Sequence, residues 1–266
     1  MNATQSNFSK AGASRKSVYF SAAALLMLCG FFVAKIPVRP ELAGVSSVFV
    51  VVFALPSCVA VIRWLGWRSG LRLLLVLAVF AIILESFAVA TGIPYGRFVY
   101  GEKIGAKVLG LVPWTVPFAW SPLLLASMAL APRWSSQPLM TAVLSGLTLV
   151  LIDMVLDPAA VAQQFWTWEH PGVFYQVPIS NFIGWFLSGV VGSLLFQRFA
   201  GNRHLPPLNL LSSGFLILCF WTSVCFWMEL WIPAALGLAL LIVISLYFFQ
   251  FEPRLSPGKM QVRSSL

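Results

Sequence analysis

Apolar runs of about twenty residues, separated by short polar or aromatic stretches, recur along the whole chain. A helix rises about 1.5 Å per residue, so roughly 20 such residues cross the hydrocarbon core of a bilayer. Eight runs reach that length, at about 18–36, 43–62, 71–90, 108–131, 138–157, 179–199, 208–228 and 230–250. Only the break from Glu229 to Pro233 separates the last two, so seven spans is the alternative. The pattern predicts an all-α, polytopic transmembrane bundle, with residues 1–266 forming a single integral membrane domain and the motifs lying in about 85–190. Pro113, Pro117 and Pro122 predict a bent fourth span, which lipid tolerates where the bend lines a cavity.

Composition agrees. The chain is 59% hydrophobic and 9% charged, which excludes an ordinary soluble domain. Its net charge of +9 is no sign of nucleic acid, because the basic residues are scattered through short loops. With the N-terminus cytoplasmic, the inner loops carry 12 of them: Lys10, Arg15, Lys16, Arg63, Arg68, Arg72, Arg133, Arg198, Arg203, Arg254, Lys259 and Arg263. The outer loops carry 5: Lys35, Arg39, Arg97, Lys103 and Lys107. That bias predicts a multi-pass protein of the cell membrane with both termini cytoplasmic. The first apolar run follows basic residues as a signal peptide does, but it has no small-x-small site before Lys35, so an uncleaved first span is expected. Cys29, Cys58, Cys219 and Cys225 all fall in apolar runs without zinc-like spacing and read as core residues.

Against this apolar background a few ionisable groups stand out. Asp153 and Asp157, in DMVLDP, lie one helical turn apart and can face one cavity. Acids at membrane depth are costly and point to function. Two neighbouring buried acids share a proton more easily than they both ionise, which suits a general acid. Asp157 also precedes Pro158 and reads equally well as the end of its helix. Glu85 sits inside its span and reads either as a functional acid or as a structural ion-pair partner of Arg97 or Lys103.

In the predicted topology Glu85, Asp153, Asp157 and Glu229 lie near the outer ends of their spans, as do Trp114, Trp120 and Trp185. Beside the acids lies a dense set of rings, including Trp114, Trp120, Trp166, Trp168, Tyr175 and Trp185. Interfacial belts account for about half of the local aromatics. The others are placed to stabilise a carbocation as aromatic faces stabilise a bound cation. Asn181 reads as a helix cap or as an amide that positions water or a carboxyl group. His170 is a weak candidate for assisting water, and His204, in a basic inner loop, is set aside. Tyr95, Gly96, Arg97 and Tyr100 read as a turn with interfacial aromatics.

The chain also carries a faint internal repeat. Pro113 leads to Trp120 at the same spacing as Pro178 leads to Trp185, and each follows an acid-bearing span and a loop with glycine and aromatic residues. Two parallel repeats about an axis along the membrane normal, with the site between them, are the expectation. The chain has no Walker loop, GxGxxG, HExxH, histidine cluster or pair of Asp-rich boxes, which argues against ATP, NAD, zinc, oxygenase and prenyl-diphosphate chemistry. No metal or cofactor is expected.

The segments TGIPYGRFVYGEKIGAKVLGLVPWTVPFAW, LIDMVLDPAA and FWTWEHPGVFYQVPISNFIGW resemble the membrane proteins of the carotenoid 1,2-hydratase family. The resemblance covers roughly 85–190. It implies addition of water to the terminal C1=C2 double bond of an acyclic ψ-end carotenoid of γ-carotene or lycopene type, giving a tertiary alcohol without a redox cofactor. The family's DxxxDP falls on Asp153 and Asp157, its (V/I)PxxNxxGW segment on Pro178, Asn181, Gly184 and Trp185, and its acid-plus-GxPxG segment on Glu85, Gly92, Pro94 and Gly96. Gln176 departs from the pattern, because a small residue such as glycine is expected before Val177. Implied partners are a carotenoid dissolved in the bilayer and, by the logic of such a pathway, a carotenoid glycosyltransferase acting on the alcohol. A lycopene cyclase-like enzyme and a non-enzymatic carotenoid or lipid carrier are the competing readings.

Overall fold

The computed structural model describes residues 3–201 and 205–250, with side chains at 17–201 and 205–247. Arg203, His204, Arg254, Lys259 and Arg263 lie outside the described residues, as do the side chains of Lys10, Arg15 and Lys16. Eight helices are present among the described residues: α1 (Ala3–Lys35), α2 (Ala43–Leu65), α3 (Trp67–Thr91), α4 (Val116–Leu130), α5 (Pro138–Ala162), α6 (Ile179–Ala200), α7 (Leu211–Trp227) and α8 (Trp231–Gln250). Four short strands accompany them: β1 (Phe98–Tyr100), β2 (Lys107–Val108), β3 (Val112–Pro113) and β4 (Trp166–Trp168).

Large apolar side chains remain exposed in stripes along the outer helices. Leu71, Leu75, Val79, Ile83 and Phe87 form one such line on α3, and Ile179, Ile183, Leu187, Val191 and Leu194 another on α6. Steps of three and four residues keep them on one face, and so continuous an apolar face suits a lipid environment. Among the described residues, six helices are long and apolar enough to cross a membrane. The fourth and eighth expected spans do not meet that length: α4 has 15 residues, and the described apolar part of α8 runs over Trp231–Tyr247.

The expected fourth span, 108–131, is where sequence and structure differ most. Residues 107–113 form the β2–β3 hairpin, with Lys107 opposite Pro113. The helix starts only at Val116, so Pro113 lies in a strand, Pro117 in the first helical turn, and Pro122 alone in the interior. A proline in the first turn costs nothing, because its missing N–H has no intrahelical partner there. Every residue of α4 from Trp120 to Leu130 is buried, enclosed by α2, α3, α5 and α7. A short central helix with a non-helical entry is stable at this depth because protein surrounds it.

At Pro158 the structure decides the other way. α5 continues to Ala162 and leaves Asp157 inside the helix instead of at its end. α5 packs most extensively on α6. Gly146 and Gly189 face each other there, and a Cβ on Gly189 would come within 2.9 Å of the Gly146 Cα. Small residues let the two backbones approach. This close crossing sets the register that brings Asp153 and Asp157, further along α5, level with Asn181 near the start of α6.

Candidate active site

The two longest loops of the expected outer side meet in a β-ribbon. β1 pairs with β4 antiparallel, Phe98 opposite Trp168, Val99 opposite Thr167 and Tyr100 opposite Trp166. Strand alternation turns Phe98, Tyr100, Trp166 and Trp168 inward, while Val99 faces out. The ribbon closes over the ends of α3 and α5. Gly101 extends it by donating its N–H to the Phe165 carbonyl at 2.8 Å. A Cβ at Gly101 would stand 2.7 Å from the Gln164 carbonyl oxygen, so the approach demands glycine.

Beneath the ribbon lies a cavity of about 340 Å³. Glu85, Asp153 and Asp157 all line it and all are buried. The Asn181 amide donates to Asp153 Oδ2 at 2.8 Å and to Asp157 Oδ2 at 2.5 Å. One NH2 group thus bridges both acids. Asn181 sits in the first turn of α6, but its side chain turns inward and does not cap the helix. Oδ1 of Asp153 is buried and receives no hydrogen bond from a donor among the described residues. Such an orphan in a polar site calls for a ligand or water.

Glu85 makes neither expected ion pair. Tyr100 donates its hydroxyl to Glu85 Oε2 at 2.9 Å. Burial first, and then Glu85 itself, hold the Tyr100 phenol well above the ordinary tyrosine range, so it remains a donor. Arg97 instead meets Glu169 at 3.9 Å on the surface, and Lys103 donates to the Gln163 carbonyl. Sequence alone had placed Tyr100 only in a turn. Its partnership with Glu85 follows from the alternation in Phe98-Val99-Tyr100, a signal too short to read before the pairing was known.

Trp120, Trp166, Trp168 and Trp185 line the same cavity. The indole nitrogens of Trp120 and Trp168 are buried without partners among the described residues. Trp114 and Tyr175 do not line it. Trp114 is 43% exposed and meets Phe118 edge-on, while the Tyr175 hydroxyl accepts from the Ile232 N–H at the start of α8. His170 is exposed and also lies off the cavity. Phe220 and Trp221 of α7 line it unanticipated, because nothing in their apolar run distinguishes a cavity wall from a lipid face. No three metal-binding side chains cluster among the described residues.

Gln176 has a φ of 71°. That left-handed conformation is the one glycine adopts without strain, which gives the missing small residue before Val177 a physical meaning.

The fold and site define an all-helical, membrane-type bundle with buried acids under an aromatic lid. The chain is a member of the carotenoid biosynthesis protein family, whose pattern matches residues 44–244. It is similar to bisanhydrobacterioruberin hydratase of Haloarcula japonica, 41% identical over 152 residues that cover 55% of this chain and 50% of that protein. The chain therefore spans about half the length of the curated relative it matches. It is a carotenoid biosynthesis protein with the helices of a membrane protein. No solved structure matches it.

Proposed function

We propose that this protein is a carotenoid 1,2-hydratase that adds water across the terminal C1=C2 bond of an acyclic ψ-end carotenoid of γ-carotene or lycopene type. The observation that carries the reading is the buried Oδ1 of Asp153, without a donor among the described residues, in a cavity shared with two further carboxyl groups and five tryptophans. Asn181 engages Oδ2 of both aspartates, so the two acids hold a shared proton beside the cavity's occupant.

The atoms balance with water alone. The Asp153 carboxyl gives its proton to C2. The π pair of the alkene forms the new C–H bond and leaves a tertiary cation at C1. Trp166, Trp185 and their neighbours face that cation without attacking it. Glu85 or Asp157 orients a water molecule, whose oxygen lone pair bonds to C1. The proton released from that oxygen restores the acid pair, and the product is a tertiary alcohol. Preorganised groups in a dry pocket are the main source of such acceleration. The site lies in the single integral membrane domain, 1–266, of a cell-membrane protein. Its eight crossings leave both termini cytoplasmic, and α4 completes its crossing through the β2–β3 hairpin. The alcohol is the natural acceptor for a downstream glycosyltransferase.

Expression in a bacterium making lycopene or γ-carotene tests this. The expected pigment is heavier than its precursor by one water. An isomer of unchanged mass means cyclisation, and unchanged pigment means a carrier. Asp153→Asn should insert normally and hydrate about 10²–10⁴-fold more slowly, the usual contribution of a general acid. Full activity in that variant refutes the role of the acid.

A further inference from the structure

The cavity does not end at the acids. Its lining also includes Cys29 and Val33 of α1, Phe53 of α2 and Ile217 of α7. α1 and α2 both pack on α7 but have little contact with each other. Where α1 and α2 do not pack on each other they leave a cleft, and Phe220 and Trp221 of α7 line the same cavity. Val45 and Phe49 of α2 line this end of the cavity and are nevertheless about half exposed, 51% and 44%. Side chains that line a cavity and also face the bilayer mark its mouth. The α2 side chains that line it are apolar except for Ser46.

Size supplies the second argument. At about 340 Å³ the cavity is at the small end of ligand pockets, which run from about 300 to 1,000 Å³. It accommodates an isoprenoid end group and a short length of polyene. A whole carotenoid has nowhere to go except out through the cleft.

We infer that the α1–α2 cleft is a lateral portal that clasps the substrate's polyene tail, so that one end reacts at the acids while the rest of the molecule stays in lipid. The inference rests on the hydratase reading and specifies how that site is reached. The portal selects for a flexible apolar tail, and its walls are separate from the acid cluster. Entry from the bilayer also keeps bulk water out of the pocket while the cation exists.

Ser46 is the position at which to test it. It lines the cleft, it is half-buried, and its side chain makes only a long 3.5 Å contact to the Leu42 carbonyl. Val48, two residues on, is 62% exposed and does not line the cleft. The experiment compares wild type, Ser46→Trp and Val48→Trp in membranes, on a full-length acyclic carotenoid and on a short acyclic isoprenoid with the same end group. Ser46→Trp is expected to slow hydration of the carotenoid at least tenfold and to leave the short substrate unaffected. Val48→Trp is expected to match wild type on both. Equal rates for Ser46→Trp and wild type on the carotenoid, or an equal fall on both substrates, overturns the portal. A wild-type protein that hydrates neither substrate refutes the hydratase reading instead, so the two failures are distinguishable.

Discussion

At the scale of single residues, the site depends on who donates to whom. Three carboxyl groups are buried together, and neither Arg97 nor Lys103 reaches them. Neutral donors support them instead: Asn181 for the two aspartates and Tyr100 for Glu85. Such donors stabilise a carboxylate without the strong field of a cation, so the acids can still pass a proton. Removing one donor from a buried acceptor costs about 1–3 kcal/mol. Tyr100→Phe is therefore expected to slow hydration about tenfold and to lower the midpoint of thermal unfolding. A rate measured in isolated membranes that matches wild type counts against a working role for Glu85.

At the scale of elements, two devices place these residues. One is the α5–α6 crossing at Gly146 and Gly189, which sets the level of Asn181 against the aspartates. The other is the β1–β4 ribbon. Its centre pairs Val99 with Thr167, and Glu85 and Asp153 each precede their partner in that pair by fourteen residues. The repeat faintly visible in the sequence thus has a counterpart in the order of elements: helix, strand, hairpin or bridged turn, helix. The second half has the Gly172–Gln176 bridge where the first has β2 and β3. We take this as support for two repeats about an axis through the ribbon, with the acids between them. Superposition of α3–α4 on α5–α6 is the direct test. Gly101→Val should push the ribbon apart, because its side chain meets backbone at Gln164. The expected result is loss of most activity with helical circular dichroism retained, since the ribbon lies outside the helices. Normal activity would mean that the lid is dispensable.

At the scale of the whole molecule, the chain builds an apolar exterior around a small polar centre, with α4 as the enclosed axis. The proposed orientation puts the ribbon and the acids toward the non-cytoplasmic half of the bilayer. Val173, 95% exposed in the loop after β4, and Gln137, exposed between α4 and α5, should then lie on opposite sides. In a background lacking the four native cysteines, Val173→Cys should react with a membrane-impermeant maleimide in intact cells. Gln137→Cys should react only after permeabilisation. The reverse pattern inverts the topology.

Hydrophobic run length and acid placement determined, by themselves, that this chain forms a helical membrane bundle and that Asp153, Asp157 and Glu85 are its candidates, while Asn181 read equally as a helix cap. Those signals are local: a span announces itself in twenty residues, and a buried acid stands out against an apolar background. Only the tertiary structure decided that α5 runs on past Pro158 and that Tyr100, not a cation, serves Glu85. It also set Trp114 and Tyr175 aside from the cavity and brought α7 into its wall. The physical reason is common to all of these. Each depends on what lies across a gap between elements distant in sequence, and an apolar residue facing a pocket is written with the same letters as one facing lipid.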